Sequence, residues 1–244
     1  MDYFLQKISK LILYINGWNF IDDEQMNRIR RISNKSVWTF SHTTNWDAFV
    51  FLLYKYAYPD IGKRMRFAVK PQVYDALPKW THSVLDKIGF IKATAYEDKN
   101  GGFVKSVVNR LQKEEEFSFL ISPKGKRDNS PWRSGYYVIA KELNCDLVAC
   151  GLDYERKKIM VFDPITVSDR SRNEIDRILQ EKLQEIVPLN PEYSEVKIRK
   201  YNNDRLGIMV FSFAILSLLI FMTYLSIYYK ILFIAILLLF FILL

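Results

Sequence analysis

The residues in this sequence best suited to proton transfer are His42 and Asp47, in the run Ser41-His42-Thr43-Thr44-Asn45-Trp46-Asp47. Histidine is the side chain that takes up or releases a proton near neutral pH. A carboxylate bonded to one ring nitrogen fixes the tautomer and stabilises the imidazolium, which leaves the other nitrogen to act as a general base. The pair therefore predicts a general-base site.

The spacing of this pair restricts where its two members can lie. Five residues turn about 140° around a straight helix, so the two side chains would point apart if both were helical. We therefore expect His42 in the turn after a strand and Asp47 in the first turns of the next helix. The same run also suits a plain helix start, capped by Ser41 or Thr43, with a histidine on the surface.

A second candidate site is the basic turn that follows the apolar run Phe117–Ser122 and contains Lys124 to Arg127. Gly125 permits close approach of the backbone, and Lys126 and Arg127 are suited to holding a phosphate. The spacing is not that of a nucleotide-binding P-loop. A solvated basic turn fits the residues equally well.

Short apolar runs alternate with amphipathic stretches through the middle of the chain, which predicts an α/β domain with a mixed, largely parallel sheet flanked by helices. In such sheets, sites gather at the loops that follow the strands. The predicted strands are Ser36–Ser41, Arg66–Lys70, Ile88–Ala93, Phe117–Ser122, Asp146–Asp153 and Lys158–Phe162. The predicted helices are Asp47–Tyr58, Pro78–Lys87, Gly102–Glu115, Trp132–Leu143 and Arg172–Ile186.

Taken in chain order, these motifs resemble the phospholipid and glycerol acyltransferases of the lysophosphatidic acid acyltransferase type. That family has a His, four residues and an Asp, then a strand ending in Lys, a strand ending in Arg, and a Pro-Glu-Gly-Thr-Arg loop. A compact bacterial branch reads His-Thr-Ser-Asn-Trp-Asp, one position different from the run here. Trp132 to Ala140 and Gly151 to Tyr154 also match that branch. The resemblance covers roughly Val37 to Pro164.

The sequence departs from the family pattern in the basic loop. The family's Glu is replaced by Lys124, and its Thr by Lys126, in Pro123-Lys124-Gly125-Lys126-Arg127. The strand that ends in Arg in the family here has Lys92 followed by Ala93 and Thr94. A Glu-to-Lys exchange reverses a charge, so we expect the acceptor pocket to differ: it would take a more anionic headgroup, or activity would be reduced.

The resemblance implies a glycerolphosphate acyltransferase-like fold, transfer of an acyl group from acyl-CoA to a lysophospholipid hydroxyl, and no metal or other cofactor. It implies that His42 is the base and Asp47 its partner. Backbone N–H groups at the start of the following helix would stabilise the oxyanion. The substrate-binding residues would be Lys70, Lys92, Lys124, Gly125, Lys126 and Arg127. Without that context, Lys70 and Lys92 are surface lysines at strand ends.

The C-terminal segment 206–244 has Lys230 as its one charged residue, which predicts one transmembrane span or a hairpin. Lys197, Arg199, Lys200 and Arg205 precede it, so we expect an integral membrane protein whose domain, residues 18–205, faces the cytosol. Residues 1–17 show apolar positions at helical spacing with Lys7 and Lys10 between them, and no cleavable signal peptide is evident. This helix would lie on a membrane surface or pack on the domain's own core.

The net charge of +8 suits either an anionic lipid surface or nucleic acid. The apolar tail favours lipid, and the aromatic residues fall mostly in strands and tail rather than among the cations, so we expect no nucleic-acid partner. Cys145 and Cys150 match no zinc or redox spacing and are interpreted as small core residues. The main alternative function is a catalytically silent, membrane-bound lipid-binding or adaptor protein of the same fold, which the Lys124 exchange favours and an intact His42–Asp47 pair opposes.

Overall fold

The computed structural model describes residues 2–93, 102–125, 127 and 130–194. The predicted transmembrane tail at 206–244, the cations just before it and Lys126 lie outside the described residues. No helix in the described part of the chain is both long enough and apolar enough to cross a bilayer.

The described strands form one six-stranded sheet in the order β3-β2-β4-β1-β5-β6. Neighbouring strands are parallel except β5 and β6, which are antiparallel. The predicted mixed, largely parallel sheet is therefore confirmed. The strands are β1 Lys35–Thr39, β2 Met65–Val69, β3 Phe90–Lys92, β4 Phe117–Ile121, β5 Asp146–Asp153 and β6 Lys158–Val161.

Helices cover both faces of this sheet. They are α1 Asp2–Ile15, α2 Asp23–Arg31, α3 Trp46–Ala57, α4 Pro59–Gly62, α5 Pro71–Asp75, α6 His82–Ile88, α7 Gly102–Leu111, α8 Gly135–Glu142 and α9 Arg172–Leu183. The predicted helix over Pro78–Lys87 divides into a 3₁₀ turn, Lys79–Thr81, and α6. Helices α2, α4 and α5 were not predicted.

Alternating side chains on the strands supply two separate cores, because successive residues of a strand point to opposite faces. Trp38, Leu120 and Val148 pack with α1 and α3 on one face. Val37, Phe119 and their neighbours pack with α7, α8 and α9 on the other. The sheet is thus the middle layer of three and gives the loops at its edges a rigid base.

Helix α1 has two different faces. Leu5, Ile12 and Leu13 are buried in the core that α3 shares. The opposite face is exposed and mostly apolar, with Lys7 beside Tyr3, Phe4, Leu11, Tyr14 and Ile15. Packing on the domain's own core is therefore present, and contact of the outer face with a membrane stays a prediction.

Candidate functional site

The candidate residues follow strands whose carboxyl ends meet at one edge of the sheet. His42 comes after β1, the basic loop after β4, Lys70 after β2, and Lys92 is the last residue of β3. Because these four strands are parallel, their following loops gather on the same side. Strand β1 lies near the centre of the sheet, between β4 and β5.

The strand β1 ends two residues earlier than predicted, and this places the histidine. Residues 40–45 form a loop between Thr39 and the start of α3 at Trp46, so Asp47 is the second residue of the helix. His42 Nδ1 lies 3.1 Å from Asp47 Oδ2. The contact expected from the five-residue spacing is therefore present, with His42 in the turn and Asp47 in the first turn of the helix.

The Asp47 carboxylate is buried, with 3 % of the residue exposed, and it accepts hydrogen bonds at both oxygens. The Thr43 and Thr44 backbone N–H groups donate to Oδ2 over 2.9 and 3.0 Å. Both N–H groups can only donate, so Oδ2 is an acceptor. An ionised carboxylate only accepts, so His42 Nδ1 carries the proton and Nε2 presents a lone pair.

Two loop N–H groups next to His42 are committed to Asp47, because those of Thr43 and Thr44 both donate to its carboxylate. They fix the carboxylate instead of contacting a substrate. The geometry therefore assigns this stretch of backbone to positioning of the Asp47 side chain. The expectation that N–H groups at the start of the helix stabilise an oxyanion stays a prediction.

Tyr154, the first residue after β5, contacts the other carboxylate oxygen and was not predicted as a site residue. Its hydroxyl donates to Asp47 Oδ1 over 2.9 Å, and the residue is fully buried. Burial, then the charge of Asp47 and the hydrogen bond to it, hold the pKa of Tyr154 well above its ordinary value. Gly151 to Tyr154 had been noted only as part of a family-like run.

The basic loop reaches this pair through Arg127. Its Nη1 donates to Asn45 Oδ1 over 2.8 Å, so the loop after β4 contacts the loop after β1. A cavity of about 450 Å³ lies here. Its lining comprises the four residues between His42 and Asp47 together with Arg127, Asn190 and Tyr193. An exposed guanidinium at the rim of a cavity beside a histidine suits an anionic ligand.

The segment after α9 closes one side of the same cavity. Asn190 Nδ2 donates to the Thr43 carbonyl oxygen over 2.9 Å. Lys124 is almost fully buried, with 4 % exposed, and its Nζ donates to the Tyr193 carbonyl oxygen over 3.1 Å. Lys124 therefore ties the basic loop to this segment, whereas it was predicted to contact substrate. Gly125 has a φ of 65°, a conformation that glycine adopts at little cost.

The remaining predicted lysines lie farther from the pair. Strand β2 is two strands from β1, so Lys70 is separated from the histidine loop by about 10 Å of sheet. Lys92 is on the edge strand, about 14 Å across the sheet, and its Nζ donates to Asp75 Oδ1 over 2.6 Å. The structure thus brings Arg127 to the His42 loop and leaves Lys92 in an ion pair elsewhere.

Neither cysteine is part of the site. Cys145 and Cys150 are free thiols in the core, as the sequence indicated. The pKa of Cys145 is raised to about 12, mainly by burial and secondly by the negative charge of Asp146. Burial also raises the pKa of Cys150. Both thiols therefore stay protonated. Among the described residues, no group of three or more His, Cys, Asp and Glu is placed to hold a metal ion.

Comparison with known proteins gives a likeness among solved structures. No family model and no curated protein matches the chain. Among solved structures, the chain resembles the 1-acyl-sn-glycerophosphate acyltransferase PlsC from Thermotoga maritima, with a TM-score of 0.52 and 13% sequence identity. The match covers 75% of this chain and 77% of that one. This likeness supports the expected α/β fold: the described part of the chain has a mixed six-stranded sheet flanked by helices, like that of PlsC.

Proposed function

We propose that this protein is an acyltransferase that moves a fatty acyl group from acyl-CoA to the free hydroxyl of a lysophospholipid. The observation that carries the proposal is the contact of His42 Nδ1 with a buried, multiply bonded Asp47 at the carboxyl edge of the sheet. The resemblance of the motifs to an acyltransferase family and the likeness to PlsC both support it. The default acceptor is 1-acyl-sn-glycerol 3-phosphate.

In the proposed reaction, His42 Nε2 removes the proton of the acceptor hydroxyl while its oxygen attacks the thioester carbonyl. Asp47 stabilises the imidazolium that forms. The tetrahedral intermediate then collapses, the carbon–sulfur bond breaks, and the proton passes from His42 to the departing CoA sulfur. General-base assistance of this kind contributes roughly 10²–10⁴-fold to the rate.

Arg127 is proposed to hold the acceptor phosphate. Its guanidinium lies at the rim of the cavity whose wall runs from Thr43 to Trp46, next to His42. A phosphate held there would bring the glycerol hydroxyl toward the base. Holding the reacting groups in this geometry lowers the entropic part of the activation barrier. Lys70 and Lys126 are proposed as further contacts of an extended anionic headgroup.

The proposed location is a membrane, with the domain facing the cytosol. The apolar segment 206–244 and the cations before it support an integral protein. The exposed apolar side chains of α1 support contact of the domain with lipid. A substrate that is itself a membrane lipid suits this arrangement.

The silent lipid-binding alternative is separated from the enzyme by a direct assay. The full chain in membranes would be incubated with labelled acyl-CoA and lysophospholipids that differ in headgroup, with monoacylglycerol as the acceptor without phosphate. Transfer by the wild type to a lysophospholipid is expected. Binding of lysolipid without transfer to any acceptor would reject the proposed enzyme and favour the silent protein.

A further inference from the structure

Tyr154 lies at a position from which it can control the His42–Asp47 pair without touching a substrate. Its hydroxyl donates to Asp47 Oδ1, while His42 and the two threonine N–H groups contact Oδ2. Each oxygen of the carboxylate therefore has a donor, and the plane of the carboxylate is held from two sides. Rotation about the Cβ–Cγ bond moves both oxygens, so the hydrogen bond at Oδ1 adds to the resistance that the contacts at Oδ2 already give.

The tyrosine is itself fixed by neighbours on three sides. Its backbone N–H donates to the Val187 carbonyl oxygen over 2.8 Å. Its ring meets the edge of Trp18 at a centroid distance of 5.1 Å, and Lys157 Nζ lies 5.7 Å from the ring centre. The residue is fully buried, so water does not compete for the hydroxyl. The donor to Oδ1 is thus a rigid group.

The charges that face this hydroxyl favour the neutral, donating form. Asp47 on α3 is the acidic group against it, and Lys157 in the turn before β6 is the cation over its ring. Losing the phenol proton would place two negative charges side by side in a buried site, which is strongly unfavourable. The hydroxyl therefore donates throughout the pH range in which a histidine base works.

We propose that Tyr154 is a positioning residue that holds the Asp47 carboxylate in the orientation that His42 needs. Its hydrogen bond to Oδ1 also draws negative charge away from Oδ2, the oxygen that contacts the imidazole. This inference rests on the proposed function for its kinetic consequence, but not for its effect on His42. Removing the hydroxyl frees one carboxylate oxygen and concentrates the negative charge on the side of the histidine. The imidazolium is then more stable, and the base is less well aligned.

The chain offers a matched control in Tyr54. Tyr54 is also a buried tyrosine of the same core, and its ring also meets Trp18 edge-on. Its hydroxyl donates to the backbone carbonyl oxygen of Asn19 over 2.7 Å, not to Asp47. Tyr54→Phe and Tyr154→Phe therefore each remove one hydroxyl hydrogen bond from a buried tyrosine beside the same indole, and only the second alters the His42–Asp47 pair.

The test combines kinetics with a spectroscopic readout that needs no turnover. The chain has two histidines, so the ring ¹⁵N signals of His42 are assigned by comparison with His42→Ala. In the wild type we expect the tautomer with the proton on Nδ1. In Tyr154→Phe we expect His42 to titrate at higher pH, and kcat to fall roughly 10- to 100-fold with a smaller change in KM, as loss of a hydrogen bond to a charged group implies.

The outcomes separate this inference from the proposed function. Equal kcat values and equal His42 titration in Tyr154→Phe and Tyr54→Phe would overturn the positioning role. If the wild type transfers no acyl group, the proposed function fails, and the His42 titration alone still decides the role of Tyr154. The melting temperature of Tyr154→Phe, compared with that of Tyr54→Phe, shows whether the variant is folded.

Discussion

Arg127 and Asn45 join the two loops that carry the candidate chemistry, with Nη1 donating to Oδ1 over 2.8 Å. The first residue follows β4 and the second precedes α3, 82 positions away in the chain. Through this contact, a cation suited to phosphate is hydrogen-bonded to the residue three positions after His42, and both partners line one cavity. Under the proposed function, this arrangement links recognition of an anionic headgroup to the position of the base.

Replacing Arg127 with Gln is expected to weaken binding of a phosphate-bearing acceptor more than it slows the reaction. A hydrogen bond to a charged group contributes about 1.5–3 kcal/mol, so KM for lysophosphatidic acid should rise roughly 10- to 100-fold. The measurement is steady-state kinetics with that lipid and with monoacylglycerol. Arg177→Gln, an exposed arginine paired with Glu181 on α9, is the control. Equal losses with both acceptors would contradict the phosphate role.

Removing the Asn190 side chain is expected to loosen the histidine loop. Its Nδ2 donates to the Thr43 carbonyl oxygen, next to His42. Asn190→Ala should therefore lower kcat, by roughly 3- to 10-fold for one neutral hydrogen bond. Asn19→Ala is the matched control, because the Asn19 amide donates to the Arg156 carbonyl oxygen over 2.8 Å. The account would be wrong here if both variants kept wild-type kcat.

Restoring the family's acid at Lys124 is expected to damage the fold and not to improve activity. The buried ammonium of Lys124 donates a hydrogen bond to the Tyr193 carbonyl oxygen. A carboxylate at this position would place two hydrogen-bond acceptors against each other. Lys124→Glu should lower the free energy of unfolding by about 2 kcal/mol or more. Urea denaturation measures this, with Lys141→Glu, an exposed position on α8, as control. Unchanged stability with increased acyl transfer would support a substrate contact instead.

Lys55 predicts a specific pH dependence of stability. It is a buried lysine of α3 whose Nζ donates to the carbonyl oxygens of Gly62 and Met65. The pKa of Lys55 is lowered from 10.5 to about 8, mainly by burial and secondly by the positive charge of Arg66. Between these two pH values the unfolded chain binds more protons than the folded protein, so the free energy of unfolding rises with pH.

The corresponding experiment compares the wild type with Lys55→Met. The wild-type unfolding free energy should gain up to about 3 kcal/mol relative to the variant between pH 8 and pH 10.5, and nothing between pH 6 and pH 7. Other titrating groups are common to both proteins and cancel in the difference. Parallel curves across the whole range would show that the Lys55 pKa is not lowered.

The sheet and the His42–Asp47 contact were predictable because both follow from local patterns. The apolar runs with helical stretches between them indicate parallel strands, and β5 was predicted with its observed bounds. The His42–Asp47 contact requires a turn between a strand and a helix, and both of those elements are readable from the sequence. Helix α2 was missed because only two of its residues, Gln25 and Ile29, are buried. It therefore lacks the apolar stripe by which a helix is recognised in a sequence. Its start signal was readable: Asp22 caps the helix, and acids then precede arginines.

The contacts made by Tyr154, Asn190 and Lys124 were not predictable from one sequence. Tyr154 meets Asp47 across 107 positions, and Asn190 meets Thr43 across 147. Such contacts depend on how the end of β5 and the segment after α9 pack, which no local pattern encodes. Lys124 was expected to contact substrate because it occupies a position of the family's substrate-binding loop, and charged side chains are seldom buried. A backbone carbonyl within its reach is what permits burial.

The most direct test of the His42 base is the rate of acyl transfer by His42→Ala and Asp47→Asn, measured beside His82→Ala in the same membranes. His82 is the chain's other histidine, and its Nε2 lies 3.2 Å from the Leu77 carbonyl oxygen, away from Asp47. The account predicts a loss of at least about 10²-fold in each dyad variant and near-normal transfer by His82→Ala. Near-normal transfer by His42→Ala would contradict it.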